Sequence, residues 1–355
     1  MYYDKVNKEL KEYFLILCDN DYPEFIEKYL NTKPLKKIGG IGQFCGCDYS
    51  KIFNVKYFYS RLDHSIACSL MAWHFTKDKA KTLMSLFHDL GTPCFSHTID
   101  YLFGDSKKQE SSEKDVFDII SSSNEIMNLL EKDDITIDDL KDAYKCGVVE
   151  NERPKICVDR LDGVLGTALV WIGFWDINDV KHIYKDLEVL IDEQGKEEIG
   201  FNNIDSANYF FEAAYKYSIV LQGCEDKYVM QFICDALKVL VENNIITSVD
   251  INIIAHFGNC VCLEIACENV WPVSGYVNTK NIGTMLQAFV KLFDLEEEDG
   301  VRISKIKNVP CRLIFENGYN KSSWGLKCIG FGNFMKDKFI LTKDFVKINN
   351  EDEEG

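Results

Sequence analysis

The sequence predicts a mainly α protein with a smaller α+β C-terminal region, and three observations predict it. Apolar residues recur at three- and four-residue intervals through most of the first 243 residues. Capping residues and glycine stops bracket several of those stretches. After Asn244 the pattern changes to short runs rich in β-branched residues, without a helical period.

Taken in order, helices are expected over about residues 4 to 17, 22 to 31, 62 to 76, 78 to 90, 96 to 103, 110 to 121, 124 to 132, 136 to 145, 153 to 173, 178 to 192, 204 to 222, 225 to 243 and 280 to 294. In the third, Ile66, Ala67, Leu70, Met71 and Phe75 stand at near-helical spacing. In the fourth, Asp78 is an N-cap, Ala80, Leu83, Met84, Phe87 and Leu90 form the apolar stripe, and Gly91 is the stop. The stretch 153 to 173 holds Gly163 and Gly166, poor helix formers that make sense where another backbone or a ligand comes close. Ile251 to Cys267, then 311 to 315, 326 to 332 and 338 to 342, read as strand-like runs. The expected organisation is a helical domain over 1–243, an α+β accessory region over 244–355 packed on it, and an acidic tail from about 350.

Four side chains in this framework suit one metal ion. They are His64 in RLDHS, the doublet His88-Asp89 in LFHDLGTPCFSH, and Asp159 in VDRLDG. Two imidazoles with two carboxylates fit one divalent ion of the Mn, Fe, Co, Ni, Zn or Mg type, since nitrogen favours transition metals and carboxylates supply hard anionic oxygen. The helical pattern places His64 in the first turn of one helix and His88 and Asp89 in the last turn of the next. Adjacent helical residues diverge by about 100°, so that doublet shares an ion only if it sits over the helix end. Taken singly, each of the four is more often a hydrogen-bonded core residue than a ligand.

In this order, R-x-x-H-S, H-D-L-G-x-x-x-F-S-H and V-D-R-x-D resemble the HD-domain metal-dependent phosphohydrolases. The likeness spans about residues 40 to 170 and is greatest to the deoxynucleoside triphosphate triphosphohydrolases, the bacterial dGTPases among them. The resemblance implies an HD-type helical bundle in which His64, His88, Asp89 and Asp159 ligate the metal and a deoxynucleoside triphosphate is hydrolysed to deoxynucleoside and triphosphate. It also implies phosphate-clamping basic residues at Arg61 and Arg160, a catalytic pair at His97 and Asp100, and a substrate contact from Gln43. It further implies a homo-oligomer; the residues themselves give no separate sign of one.

The residues also admit plainer readings. Arg61, three before His64, and Arg160, directly after Asp159, suit a phosphate clamp, or ion pairs in an acidic protein. His97 and Asp100, spaced i, i+3, suit a carboxylate orienting a general-acid imidazole, or a helix cap. Asp162 suits a partner to a metal-ligating histidine or to Arg160, or a local cap. His74, His182 and His256 fit core or surface roles better than catalytic ones. The stretch ALVWIGFW at 168 to 175 suits an interface or a buried core helix.

Several positions depart from the triphosphohydrolase pattern. Thr92 stands where many such enzymes have a second histidine, and Gln109 where a histidine often precedes E-x-x-S. Gly163 replaces an aromatic residue that would pack on the sugar, and Thr167 replaces an acid. The features that select the sugar and the triphosphate length are therefore not carried over.

Composition narrows the function classes. The net charge of −17 argues against nucleic acid as a partner, because such binding needs a cationic face and the basic clusters here are short. With no apolar run of spanning length and an amphipathic N-terminus, MYYDKVNKELKEYF, a cytoplasmic protein without membrane contact is expected. Fourteen cysteines lack the paired CxxC spacing of zinc modules and read as buried free thiols. The leading expectation is a nucleotide phosphohydrolase acting on a dNTP through water activated at a metal. The alternatives are a 5'-nucleotidase or other phosphomonoesterase of the same superfamily, and a catalytically impaired nucleotide-binding sensor, which Thr92 and Gln109 motivate. A cyclic-nucleotide phosphodiesterase would need more histidines near the motif.

Overall fold

A computed structural model describes residues 1–45, 55–92, 96–98, 116–151, 155–192 and 195–221, with Met230 and Cys234. Over these residues the chain is mainly helical, as expected. Helices α1 (Lys8–Leu17), α2 (Glu27–Leu30), α3 (Lys33–Ile38), α4 (Arg61–Thr76) and α5 (Lys79–Phe87) are followed by α6 (Val116–Ser122), α7 (Asn124–Lys132), α8 (Ile137–Tyr144), α9 (Val158–Val170) and α10 (Ile177–Tyr184). Strands β1 (Leu187–Ile191) and β2 (Glu197–Phe201) then pair antiparallel before α11 (Ile204–Leu221). Of the helix expected at 225 to 243 only Met230 and Cys234 are described, both helical; the helix expected at 280 to 294, the later strand-like runs, the region 244–355 and its acidic tail lie outside the described residues.

The architecture turns on α4. Every residue from Arg61 to Ala72 is buried, the signature of a helix surrounded by others rather than one lying on a surface. It packs against α5, α9 and α1. From α1 it receives Leu10, Tyr13, Phe14 and Leu17, a stripe at i, i+3, i+4 and i+7 that is wholly buried. Lys77, at φ +51°, ends α4 in the left-handed conformation, and Asp78 then caps α5 by accepting from Lys81 N at 3.0 Å. The tight turn lays α5 directly against α4.

Three local expectations are corrected. The helix expected over 178 to 192 is two elements: α10, capped by Asp176 and Asp179, ends at Tyr184, and LEVLI then forms β1. Its burial alternates at the start and the strand returns through Gly195 at φ +79°, whose N–H reaches Asp192 O at 3.0 Å. The helix expected over 153 to 173 stops at Val170, with Gly173 at φ +61° beyond it. In the stretch 168 to 175, Trp171 and Trp175 are buried, which matches the core reading. Helix α3, with Thr32 before it and Pro34 in its first turn, was not expected at all.

The two glycines of α9 differ in their surroundings. A Cβ at Gly166 would lie 3.3 Å from the Tyr59 ring, so its absence admits that ring, whereas no described atom comes within 4 Å of one at Gly163. All six described cysteines are free thiols, and no described helix is long and apolar enough to cross a membrane.

A pair of substitutions tests this packing. A Cβ at Gly147 would meet the Glu197 carbonyl oxygen of β2 at 2.0 Å. Gly147→Ala is therefore expected to lower stability by about 1–3 kcal/mol through overpacking. Gly163→Ala, in open helix, is expected to raise it by about 0.5–1 kcal/mol. Urea midpoints measure both; shifts of the same sign would contradict the packing around β2.

Candidate metal centre

The first turn of α4 is fixed before any ligand is considered. Ser60 Oγ accepts from Asp63 N at 3.0 Å, while Asp63 Oδ2 accepts from Ser60 N at 2.8 Å and from Ser60 Oγ at 2.6 Å. The other Asp63 oxygen accepts from Tyr2 Oη at 3.0 Å. This reciprocal cap satisfies the free amides of the helix start and holds Arg61 and His64, three apart, along one edge.

Both histidines present Nε2 to the same point. His64 Nδ1 lies 2.6 Å from Asp162 Oδ2, where the ring N–H is the donor, and His88 Nδ1 donates to the Ser85 carbonyl at 2.7 Å. Each ring thus keeps Nε2 for the centre. These two atoms are 3.2 Å apart. Asp159 Oδ1 is 3.0 Å from His64 Nε2 and 3.8 Å from His88 Nε2, and Asp89 Oδ2 is 3.9 Å from each. Two nitrogens bound about 2.0–2.1 Å from one ion at a near-tetrahedral angle sit roughly 3.3 Å apart, so the imidazole pair has a spacing that a transition-metal ion accepts. His64, His88 and Asp159 therefore meet, while Asp89 stands at the edge of the cluster, outside the group of donor atoms close enough to hold an ion together. Asp159 retains 44% side-chain exposure against 1% for His64, and so marks the open side of the cluster.

One detail of the approach differs from expectation. Helix α5 ends at Phe87, not Leu90; His88 is its C-cap and Asp89 stands in the following turn, closed by Leu90 N on Phe87 O at 3.0 Å.

Electrostatics hold the carboxylates charged. Burial opposes ionisation of Asp89, yet Arg61, His88 and His64 outweigh it and hold its carboxyl well below the usual range. Asp159 is likewise lowered, against burial, by its contacts with His64 and His88. The converse applies to the rings. Burial disfavours the His64 cation, but the adjoining Cys68 sulfur, and Asp159 and Asp162 in hydrogen-bond contact, raise its pKa above the ordinary 6.5. His88 is raised in the same sense by Asp89 and Asp159, again against burial.

Cys68, one turn after His64, also lies in the cluster: donor atoms of His64, Cys68, His88 and Asp159 fall within 4.8 Å of one another. Its Sγ is 3.8 Å from His64 Nε2 and 3.9 Å from Nδ1, nearly equidistant, which places it beside the ring and off the Nε2 lone-pair axis. It donates to Val158 O at 3.6 Å, and burial pushes its ionisation well up, so it is a neutral thiol. Its i, i+4 relation to His64 was the sequence signal for it. A second group, Glu150, Cys157 and Asp159, meets the same 4.8 Å limit, but Glu150 already accepts from Arg160 at 2.7 Å and from Asn151 N at 2.9 Å.

The other expected residues divide. Arg61 is buried, with Nη1 on Asp89 Oδ2 at 3.1 Å and Nη2 on Ser96 Oγ at 2.6 Å. Ser96, inside the motif FSH, is a site residue that sequence reading passed over, as is the hydroxyl of Thr92, which donates to Asp89 Oδ1 at 3.0 Å. The backbone of Gln43 lies beside the start of α4: residues 41–43 run antiparallel to 59–61, with Gln43 N on Tyr59 O at 2.9 Å and Arg61 N on Ile41 O at 2.8 Å. Gln43 Oε1 and Arg61 Nε are buried without a hydrogen-bond partner among the described residues. Arg160 has other engagements: besides Glu150 it donates to the main-chain carbonyls of Lys155 and Asn151, tying those residues to the start of α9. His97 is half-buried next to Ser96. Asp100 and Gln109 lie outside the described residues.

No family model matches the chain. It is similar to the uncharacterized protein YdhJ of Bacillus subtilis (strain 168), 23% identical over 228 residues that make up 64% of this chain and 67% of that protein.

The raised imidazole values give a signed pH dependence. Protonated His64 and His88 stabilise the metal-free fold fully below about pH 6.5, and that contribution is lost as pH rises through their folded-state values. A metal must displace those protons, so affinity is expected to rise over the same window. Zinc titration calorimetry in buffers of differing ionisation enthalpy should record net proton release near pH 7; binding with no proton release would contradict the arrangement.

Proposed function

We propose that this protein is a metal-dependent phosphohydrolase of the HD-domain kind, acting on a nucleotide, with a deoxynucleoside triphosphate as the substrate that the sequence resemblance implies. The observation that carries the reading is the meeting of His64 Nε2, His88 Nε2 and Asp159 Oδ1 within 3.0 to 3.8 Å, with a buried arginine held at the neighbouring Asp89. His64, His88, Asp89 and Asp159 would hold the ion. A divalent cation there supplies acidified water and neutralises charge on phosphoryl oxygens.

The chain's own residues perform the remaining work. Arg61 is oriented by Asp89 and Ser96, and its Nε, without a partner among the described residues, is a donor ready for a phosphoryl oxygen. Gln43 Oε1 offers a buried acceptor for a substrate hydroxyl or amine. His97, on the segment that brings Ser96 to Arg61, is the candidate to protonate the departing oxygen. Arg160 keeps Asp159 at its post by fixing the preceding loop, and its remaining donors are not assigned to substrate. The net charge of −17 would repel a nucleotide, which makes a local cation a requirement for binding.

Purified full-length chain loaded with Mn, Co, Zn or Mg and given dNTPs, NTPs and nucleoside monophosphates tests this directly. Triphosphate release from dNTPs is expected. Inorganic phosphate from monophosphates would replace the reading with a phosphomonoesterase, and binding without any product would replace it with a sensor. Within an active enzyme, Arg61→Lys is expected to lower kcat/KM about 10–100-fold, because a lysine cannot bridge two partners and still face substrate. Arg160→Lys is expected to stay within roughly threefold; the reverse order would contradict the assignment.

A further inference from the structure

We propose that Asp162, held by Tyr13 and Tyr59, is the positioning residue that aims His64 at the metal centre. Asp162 is buried to 1% exposure in α9, one turn beyond Asp159. Its Oδ1 accepts from Tyr13 Oη at 2.5 Å and lies 3.1 Å from Tyr59 Oη, and its Oδ2 is 2.9 Å from Tyr59 Oη and 2.6 Å from His64 Nδ1. Three donors from three segments, α1, the entry to α4 and α4 itself, thus converge on one carboxylate.

The chemistry of the donors makes this a directional device. A phenol has one hydrogen to give, and both tyrosines are fully buried with that hydrogen turned to Asp162. The carboxylate, an acceptor at every lone pair, leaves His64 Nδ1 as the donor and Nε2 as the nitrogen facing His88 and Asp159. Rotating the ring by half a turn would break the 2.6 Å contact and place a carbon at the centre. Gly166 belongs to the same arrangement: a Cβ there would stand 3.3 Å from Tyr59 Cε1 and 3.4 Å from Asp162 Oδ2, so a side chain would press on both partners. His88 is oriented differently, by the Ser85 carbonyl. The carboxylate device is specific to His64.

The inference rests on the metal reading of the cluster, and the experiment separates the two. Zinc affinity of the full chain is measured by competition with a chelating dye, and the ring nitrogens of His64 are observed by ¹⁵N NMR in the zinc-loaded protein. Asp162→Asn keeps the shape but offers one oxygen to three donors and sets an amide N–H₂ against them. It is expected to weaken zinc binding about 10–100-fold and to speed exchange of the His64 Nδ1 proton. Tyr59→Phe and Tyr13→Phe remove one donor each and are expected to weaken binding by less than Asp162→Asn does, about threefold or more. Should Asp162→Asn fail to fold by circular dichroism, the tyrosine variants decide, and unchanged affinity in both overturns the proposal. Unchanged affinity and an equally protected proton in folded Asp162→Asn overturn it as well. Wild-type protein that takes up no zinc sinks the metal reading and this inference together, whereas tight wild-type binding with indifferent variants sinks Asp162 alone.

Discussion

Three ionisable side chains in one helical turn are buried together in this protein, and the rest of the fold is arranged around satisfying them. Arg61, Asp63 and His64 are each less than a tenth exposed. Leaving any of them without a partner would cost several kcal/mol, so each draws a different segment onto α4. Asp63 takes Ser60 and Tyr2, Arg61 takes Asp89 and Ser96, and His64 takes Asp162 and Asp159. The N-terminal segment, the turn after α5 and helix α9 are therefore positioned by the polar groups of the site as well as by the apolar stripe behind them. A cluster that organises its own scaffold in this way is preorganised: its donors already face one another before a ligand arrives.

That arrangement separates holding from reacting. His64 and Asp162 are locked within the core, while Asp159 is open on one side and Arg61 Nε and Gln43 Oε1 have no hydrogen-bond partner among the described residues. Two imidazoles and two carboxylates, with the neutral Cys68 thiol set beside a ring, make a borderline donor set in which the hard oxygen and the nitrogen dominate. The phosphate ester proposed as substrate would bring the negative charge that such a centre, with a buried arginine alongside, could stabilise.

Much of this was legible in the residue order because the candidate donors sit on or directly after helices whose apolar periodicity is strong. The pattern around Ile66 to Phe75 and Asp78 to Phe87 located the first three donors, and VDRLDG located the fourth. What was not legible depended on segments remote in sequence. Nothing near Tyr13 signals that it meets a residue 149 positions away, and nothing near Arg160 signals its partners Glu150, Asn151 and Lys155. The division of 178–192 into helix and strand was hidden for a different reason: Leu187, Val189 and Ile191 continue an apolar count that suits either period, and the turn at Gly195 decides between them. Gly163 and Gly166 were given one explanation from sequence, yet only Gly166 lies against a described side chain.

The central claim is that His64, His88, Asp89 and Asp159 share one ion, and anomalous diffraction from crystals grown with zinc or manganese tests it most directly. The account predicts a single strong anomalous peak about 2.0–2.2 Å from the Nε2 atoms of both histidines and from Asp159, with Asp89 drawn in toward it. A metal that binds elsewhere, or crystals in metal that show no peak between the two imidazoles, would contradict it.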